Sequence, residues 1–193
     1  MTIYRSAATA SPVAATSALS AGTVASAGTF TVPAGAPVVG ASLGHRELSE
    51  ADHWILALAP APMLACTHLV REPFPHVAIS LIGGPSELPD VQPALQAAAG
   101  LAAAGTVGRA VIFPGVENLV GILSVADVLA LSAIEKIEVL GGEIPDPETL
   151  LETTDFVRPQ FRAGQLILTA MPAAGGRLVP FETRTPTPCC AAH

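Results

Sequence analysis

The middle of the chain alternates between short apolar runs and longer stretches rich in alanine and leucine. Three runs have the length of buried strands, namely His76–Ile82, Arg109–Phe113 and Lys136–Leu140, and each leads into a turn that contains glycine. Between them, the stretches from about Asp90 to Ala104 and from about Val116 to Ile134 have the length of helices. Parallel strands need such crossovers, so the alternation predicts a parallel βαβαβ core buried on both faces, in an α/β fold with a three-layer sheet.

The segment before this core holds weaker patterns. Thr29–Val32 and Pro37–Leu43 resemble short β segments bounded by glycine and proline. Ser49 is predicted to cap a helix that ends at Pro60, because acidic residues in its first turn suit the positive end of the helix dipole. Met63–Val70 is too short for its periodicity to separate a short helix from a buried strand, so both interpretations stay open.

The segment after the core predicts one more helix and a hairpin. Asp146–Thr153 is a short helical candidate with Pro147 in its first turn. Gln165–Met171 and Arg177–Glu182 flank a loop that contains proline and glycine. They predict a C-terminal β-hairpin whose loop is longer than a tight two-residue turn.

We expect one domain with an extension at each end. Residues 1–28 form a low-complexity N-terminal arm of mainly small residues, with Arg5 as its one charge. Their polar middle, which includes Pro12, matches a secretory signal poorly, and we therefore expect a cytoplasmic protein. Residues 29–182 are the predicted single α/β domain, and residues 183–193 are a Cys-Cys-x-x-His tail.

The hydrophobic and charged content of the chain limits the kinds of partner that it can bind. Of the 193 residues 50% are hydrophobic and 13% charged, which is unlike a disordered chain. The formal net charge is −7 and no run of Lys or Arg occurs, so we expect neither nucleic-acid nor membrane-surface binding. The longest apolar stretch, Leu119 to Ile134, carries Asp127 and is shorter than the roughly 20 residues of a membrane span. So few charges leave apolar surface exposed, which predicts a homo-oligomer, most simply a dimer.

The C-terminal tail is the first candidate site. Cys189, Cys190 and His193 place two thiols and an imidazole within five residues, a donor set that suits zinc or copper. Cys66 and His68 are the predicted further ligands, because residues i and i+2 of an extended strand share a face. The alternative is that Cys66 is a small buried hydrophobic residue and the tail a plain terminus.

The glycine-bearing turns after the predicted strands are the second candidate site. In open α/β sheets, ligands bind beyond the carboxyl ends of the strands, where helix N-termini offer free N–H groups. This rim would contain Gly83, Gly84, Ser86, Glu117 and Asn118. No dinucleotide or phosphate-loop signature accompanies them, and turn geometry alone also explains the glycines.

The stretch His45–His53 is the densest polar segment of the chain. Glu50 and His53 have the Glu-x-x-His spacing of carboxylate-bridged metal sites, but the second copy that such sites need is absent from the sequence. Glu50 and Asp52 are therefore expected to stabilise the start of the helix, and His53 to lie at its surface.

The stretch Asp155–Arg162 alternates charged and aromatic residues ahead of the predicted hairpin. Arg158 or Arg162 could clamp a carboxylate ligand through a guanidinium group. The alternative is an edge strand whose phenylalanines lie in the core and whose charges face water.

Two hypotheses of function follow from these candidates. The first is a protein, with or without enzymatic activity, that binds a transition metal, zinc or copper, through the C-terminal Cys/His cluster. The second needs no metal: an α/β domain that binds a small molecule at the strand-end glycine turns, or that self-assembles. No sequence signature of a named catalytic mechanism separates them.

Overall fold

The computed structural model describes residues 36–184. Within that range ten strands form one mixed sheet, accompanied by three α-helices and three short 3-10 helices. The elements in chain order are β1 (Val38–His45), α1 (Leu48–Leu56), β2 (Leu64–Val70), β3 (His76–Ile82), a 3-10 helix (Pro93–Leu95), α2 (Gln96–Ala104), β4 (Val107–Ile112), a 3-10 helix (Val116–Asn118), β5 (Gly121–Ser124), α3 (Val125–Leu131), β6 (Ile134–Val139), β7 (Leu150–Thr154), β8 (Gln160–Arg162), β9 (Gln165–Pro172), a 3-10 helix (Ala174–Gly176) and β10 (Leu178–Pro180).

Strand β9 pairs with three other strands, β6, β8 and β10, and so connects the part of the sheet that contains β1 to β4 with the part that contains β5 and β7. The strand order is β1-β3-β2-β4-β8-β9-β10-β7-β5, and β6 also pairs with β9. Leu166 of β9 pairs with both β8 and β6, and Ala170 with both β10 and β6. A strand has only two edges, so β6 runs along one edge of β9, while β8 and β10 follow each other along the other.

The predicted parallel βαβαβ core is wrong. Strand β3 pairs antiparallel with β1 and β2, and β4 pairs antiparallel with β2 and β8. Only β6 with β9 and β7 with β10 are parallel within the described residues. The reason lies in Met63–Val70, which is largely strand β2: only five residues, 71–75, connect it to β3. So short a connection permits a hairpin and excludes the crossover that a parallel pair requires.

Two predicted helices are also wrong. The stretch from Val116 to Ile134 is divided among a 3-10 helix, β5, α3 and the start of β6. Ser124 begins α3 because its hydroxyl accepts a hydrogen bond from the backbone N–H of Asp127 at 3.0 Å. The second half of Asp146–Thr153 lies in strand β7, and the first half is a turn in which the Asp146 carboxylate accepts the N–H of Glu148 at 2.9 Å.

Other local predictions are confirmed. The three apolar runs are strands, β9 and β10 form the C-terminal antiparallel hairpin, and a helix begins near Ser49. That helix, α1, is capped by Glu47, which forms a capping box with Glu50. Pro37–Leu43 lies mostly in β1, whereas Thr29–Val32 and the predicted N-terminal arm lie outside the described residues.

The half of the sheet formed by β1 to β4 is covered on both faces by helices. On one face, Ala51 and Ile55 of α1 pack against Val77, Ile79 and Val111. On the other face, small residues of α2 pack against β3, and α2 also contacts β1. A third and larger core fills the space between β4, β7, β9 and α3. No helix in the range 36–184 is long and apolar enough to cross a lipid bilayer.

Candidate functional site

A charged residue lies on the buried face of the sheet under α1. Arg109 of β4 pairs with Thr67 of β2, and its neighbour on the same face, Val111, belongs to the core beneath the helix. Only 8% of Arg109 is exposed. A buried guanidinium needs partners for its charge and for its five N–H donors, because an unpaired buried charge is very costly.

Two carboxylates and a second arginine surround Arg109. Asp52 of α1 accepts hydrogen bonds from Nη1 and Nη2 of Arg109 at 2.7 and 3.0 Å, and from Nε of Arg158 at 3.0 Å. Glu182, which follows β10, accepts Nε of Arg109 at 2.7 Å. We call Asp52, Arg109, Arg158 and Glu182 the charge cluster. Its two positive and two negative charges balance.

The two arginines of the charge cluster are in different electrostatic situations. Burial alone lowers the pKa of Arg109, but the hydrogen bonds and charges of Asp52 and Glu182 outweigh burial and raise it above the ordinary value. Burial lowers the pKa of Arg158, and the nearby charge of Asp52 only partly offsets this effect. Arg158 shares its carboxylate partner Asp52 with Arg109, so an additional anion beside Arg158 would be stabilised.

The charge cluster forms the floor of a cleft of about 300 Å³ between α1 and the segment after β10. The lining residues are Leu48, Ser49, Asp52, His53, Leu56, Arg109, Phe156, Arg158, Glu182, Thr183 and Arg184. They include three arginines and two carboxylates, a formal charge of +1, whereas the whole chain carries −7. Because Arg184 pairs with Asp155, which lies outside the lining, the cleft is close to neutral, and it is therefore less negative than the protein as a whole.

Phe156 positions two of the arginines at the cleft. Its ring lies 4.2 Å from the guanidinium carbon of Arg158 and 5.4 Å from that of Arg184. Both distances are within the range of cation–π interactions. Arg184 also forms an exposed ion pair with Asp155 at 3.2 Å.

Arg158 has unused hydrogen-bonding capacity. Its Nε donates to Asp52, and its Nη1 donates to the carbonyl oxygen of Val157 at 3.1 Å. Its Nη2 makes no hydrogen bond to any residue in the range 36–184. The side chain is 7% exposed and lines the cleft, and Nη2 is not among the fully buried atoms that lack a partner in the described residues, so a molecule in the cleft can reach it.

Of the predicted ligand-binding residues, only Arg158 lies in this cleft. Gly83 and Gly84 follow β3 with positive φ values of 72° and 100°, and their neighbours are Pro62 and Met63. They form a turn, which is the alternative that the sequence left open. Asn118 also has a local structural role, because its side-chain amide donates to the carbonyl of Leu131 at 3.2 Å.

The remaining rim residues are exposed. Ser86 lies in the loop after β3, and Glu117 lies in the 3-10 helix after β4. The last residues of β3 and β4 pair with the first residues of β2, so the two strands end on the same side of the sheet. Ser86 and Glu117 both follow these strand ends. The structure describes no contact that joins them to Arg158.

The predicted metal ligands are divided between described and undescribed residues. Cys66 is 1% exposed in the core, and burial raises the pKa of its thiol to about 12, which disfavours the thiolate that binds metals. His68 hydrogen-bonds to Ser80 at 2.8 Å, and burial lowers the pKa of its imidazole. Both lie on the sheet face opposite Arg109, since they alternate with Thr67 along β2.

Residues 36–184 contain no group of three or more His, Cys, Asp or Glu side chains arranged to hold a metal ion. Cys189, Cys190 and His193 lie outside the described residues. A metal site in the tail, with zinc or copper, therefore stays a prediction.

Sequence reasoning missed three of the four residues of the charge cluster. Asp52 was assigned to the helix start, but Glu50 has that role and accepts the backbone N–H groups of Arg46 and Glu47 at 2.9 and 3.3 Å. Arg109 carried a usable signal, because an arginine inside a run predicted to be buried requires a carboxylate partner. Glu182 was placed in the hairpin, and no local pattern distinguishes it.

The chain matches no protein-family model, no curated protein and no solved structure with which it was compared.

Proposed function

We propose that this protein binds a small organic acid in the cleft above the charge cluster, with Arg158 as the main anchor for the acid group. The observation that carries the proposal is that Arg158 lines the cleft with a side chain that is 7% exposed, and that its Nη2 makes no hydrogen bond to any residue in the range 36–184. A carboxylate at Nη2 gives Arg158 a second negative partner, since Arg158 shares Asp52 with Arg109.

The remaining lining defines the rest of the ligand. Arg184 also lies near the Phe156 ring and lines the cleft, and because it is 60% exposed it can contact the same anion from the solvent side. Leu48, Leu56 and the edge of Phe156 offer apolar surface for the body of the acid. A volume of about 300 Å³ lies at the lower end of small-molecule sites, so we infer a ligand of metabolite size.

Isothermal titration calorimetry with acetate, butyrate, succinate and inorganic phosphate tests the proposal. We expect the organic acids to bind the wild-type protein and Arg158→Lys to lose that binding, because lysine cannot contact Asp52 and a ligand with one planar fork. Arg184→Gln should weaken binding less severely, since Arg184 is 60% exposed. This second variant removes no buried partner and keeps the test valid if Arg158→Lys unfolds.

Arg177→Gln is the matched control. Arg177 is an exposed arginine that pairs with Glu152 at 3.6 Å and does not line the cleft. Its substitution should leave binding unchanged. The proposal is overturned if no organic acid binds the wild-type protein at millimolar concentration, if folded Arg158→Lys binds as the wild type does, or if Arg184→Gln binds no more weakly than Arg177→Gln.

A further inference from the structure

Glu182 is the member of the charge cluster that is most easily removed. Its carboxylate receives Nε of Arg109 on both oxygens at 2.7 Å and Nη2 of Arg109 at 2.5 Å, yet its side chain is 34% exposed, against 9% for Asp52. Asp52 lies on α1, whose Ala51 and Ile55 are fully buried. The two carboxylates bind the same arginine, but only one of them is held by a packed element.

Within the described residues, the segment that carries Glu182 has few other attachments, one of which is the contact of Arg184 with the Phe156 ring at 5.4 Å. The backbone N–H of Phe181 donates to the carbonyl of Thr169 at 2.9 Å, while 55% of Phe181 is exposed. Arg184 contributes the ion pair with Asp155, in which both partners are exposed. Segments with few buried contacts open locally at low free energy. The range 181–184 can therefore leave Arg109 without unfolding the sheet.

The positions of the two arginines would let one ligand contact both of them once the Glu182 carboxylate has left Arg109. Nη2 of Arg109 and Nε of Arg158 both donate to Oδ2 of Asp52, each at 3.0 Å. Because one oxygen atom bridges them, the two guanidinium groups lie side by side. A molecule with two acid groups on a short spacer can contact both of them.

We propose that the ligand is a short dicarboxylate, and that Glu182 occupies the position of its second acid group in the free protein. This inference rests on the proposed function. One carboxylate of the ligand binds Nη2 of Arg158, and the other displaces Glu182 from Arg109. Glu182 thus acts as an internal competitor, and its contact with Arg109 lowers the affinity of the site for its own ligand.

Calorimetry with succinate and butyrate, which have the same number of carbon atoms, tests the inference in the wild type and in Glu182→Gln. The amide keeps the shape of the side chain and removes the competing charge. We expect Glu182→Gln to bind succinate about tenfold more tightly than the wild type, and the gain for butyrate to be smaller. Glu152→Gln is the control, because Glu152 is exposed, pairs with Arg177 at 3.6 Å and lines an adjacent cleft.

Hydrogen exchange supplies a measurement that does not depend on any variant. In the wild type, succinate should accelerate exchange of the Phe181 amide, whose bond to Thr169 breaks when the segment leaves, and butyrate should not. Unchanged or weaker succinate binding by Glu182→Gln, an equal gain for both acids, or an unaffected Phe181 amide overturns the inference. If the wild type binds organic acids and one of these results appears, only the dicarboxylate assignment fails. If the wild type binds none, the proposed function fails as well.

Discussion

Replacing Asp52 with asparagine removes a negative charge that contacts both buried arginines. Asp52 accepts three hydrogen bonds from guanidinium groups at 2.7 to 3.0 Å, and its side chain is 9% exposed. The variant leaves Arg158 without a carboxylate and points an amide group at a cation. Breaking one partner out of a buried ion pair costs about 3–5 kcal/mol, since the remaining charge stays buried and uncompensated. A domain of ordinary stability, about 5–15 kcal/mol, would lose much of it.

Urea unfolding followed by tryptophan fluorescence measures this loss. The chain has one tryptophan, Trp54, which lies in α1 two residues after Asp52 and therefore reports on the unfolding of that helix. Asp155→Asn is the matched control: its partner is also an arginine, but the two side chains are 63% and 60% exposed. An exposed pair contributes at most about 1 kcal/mol. If Asp52→Asn lowers the free energy of unfolding no more than Asp155→Asn does, Asp52 is not the buried ion-pair partner of Arg109 and Arg158.

Four further predictions concern other parts of the chain. Gly40→Ala should strongly lower the melting temperature, because a Cβ at Gly40 would overlap the carbonyl oxygen of Ala99 in α2; an unchanged melting temperature would contradict that packing. Burial raises the pKa of the Cys66 thiol from 9.0 to about 12, so the unfolded state loses this proton first as pH rises. The free energy of unfolding, measured in urea titrations, should therefore fall by up to about 1.4 kcal/mol per pH unit between those two values. Cys66→Ala should lack that slope. Elemental analysis of protein purified without a chelating tag should find zinc or copper that Cys189→Ser/Cys190→Ser abolishes, and metal-free wild-type protein with no thermal stabilisation by either ion would end the tail hypothesis. Light scattering at micromolar concentration should give a dimer, whereas a mass of 19.5 kDa would exclude it.

The candidate site was only partly predictable. Arg158 was identified because an arginine between phenylalanines is conspicuous in a chain with 13% charged residues. The sequence does not predict its partner Asp52 as a site residue, since an acidic residue in the first turn of a helix also suits the dipole. The face of α1 on which Asp52 lies depends on where the helix docks, and the capping pattern does not contain that information.

The contacts that make the cluster connect distant parts of the chain. Asp52 lies 57 residues from Arg109 and 106 residues from Arg158, and Arg109 lies 73 residues from Glu182. Charged residues have no periodicity that would show such pairing. Each one alone also has an ordinary interpretation as a solvated side chain.

The amino-acid sequence by itself determined where most of the strands lie. His76–Ile82 is a strand in the structure with the same bounds, and the hairpin near residues 165–182 has its predicted partners. These features are local: an apolar run bounded by glycine and proline is recognisable without knowledge of what covers it.

The tertiary structure alone decided which strands are neighbours in the sheet and where the site lies. An apolar run fits a parallel or an antiparallel neighbour equally well, and the five residues between β2 and β3 become decisive only once both are known to be strands. Arg109 acquires a function only when antiparallel pairing places it opposite Thr67, beneath α1 and beside the end of the hairpin. The physical reason is that burial and charge compensation depend on contacts between distant segments, which no short stretch of sequence contains.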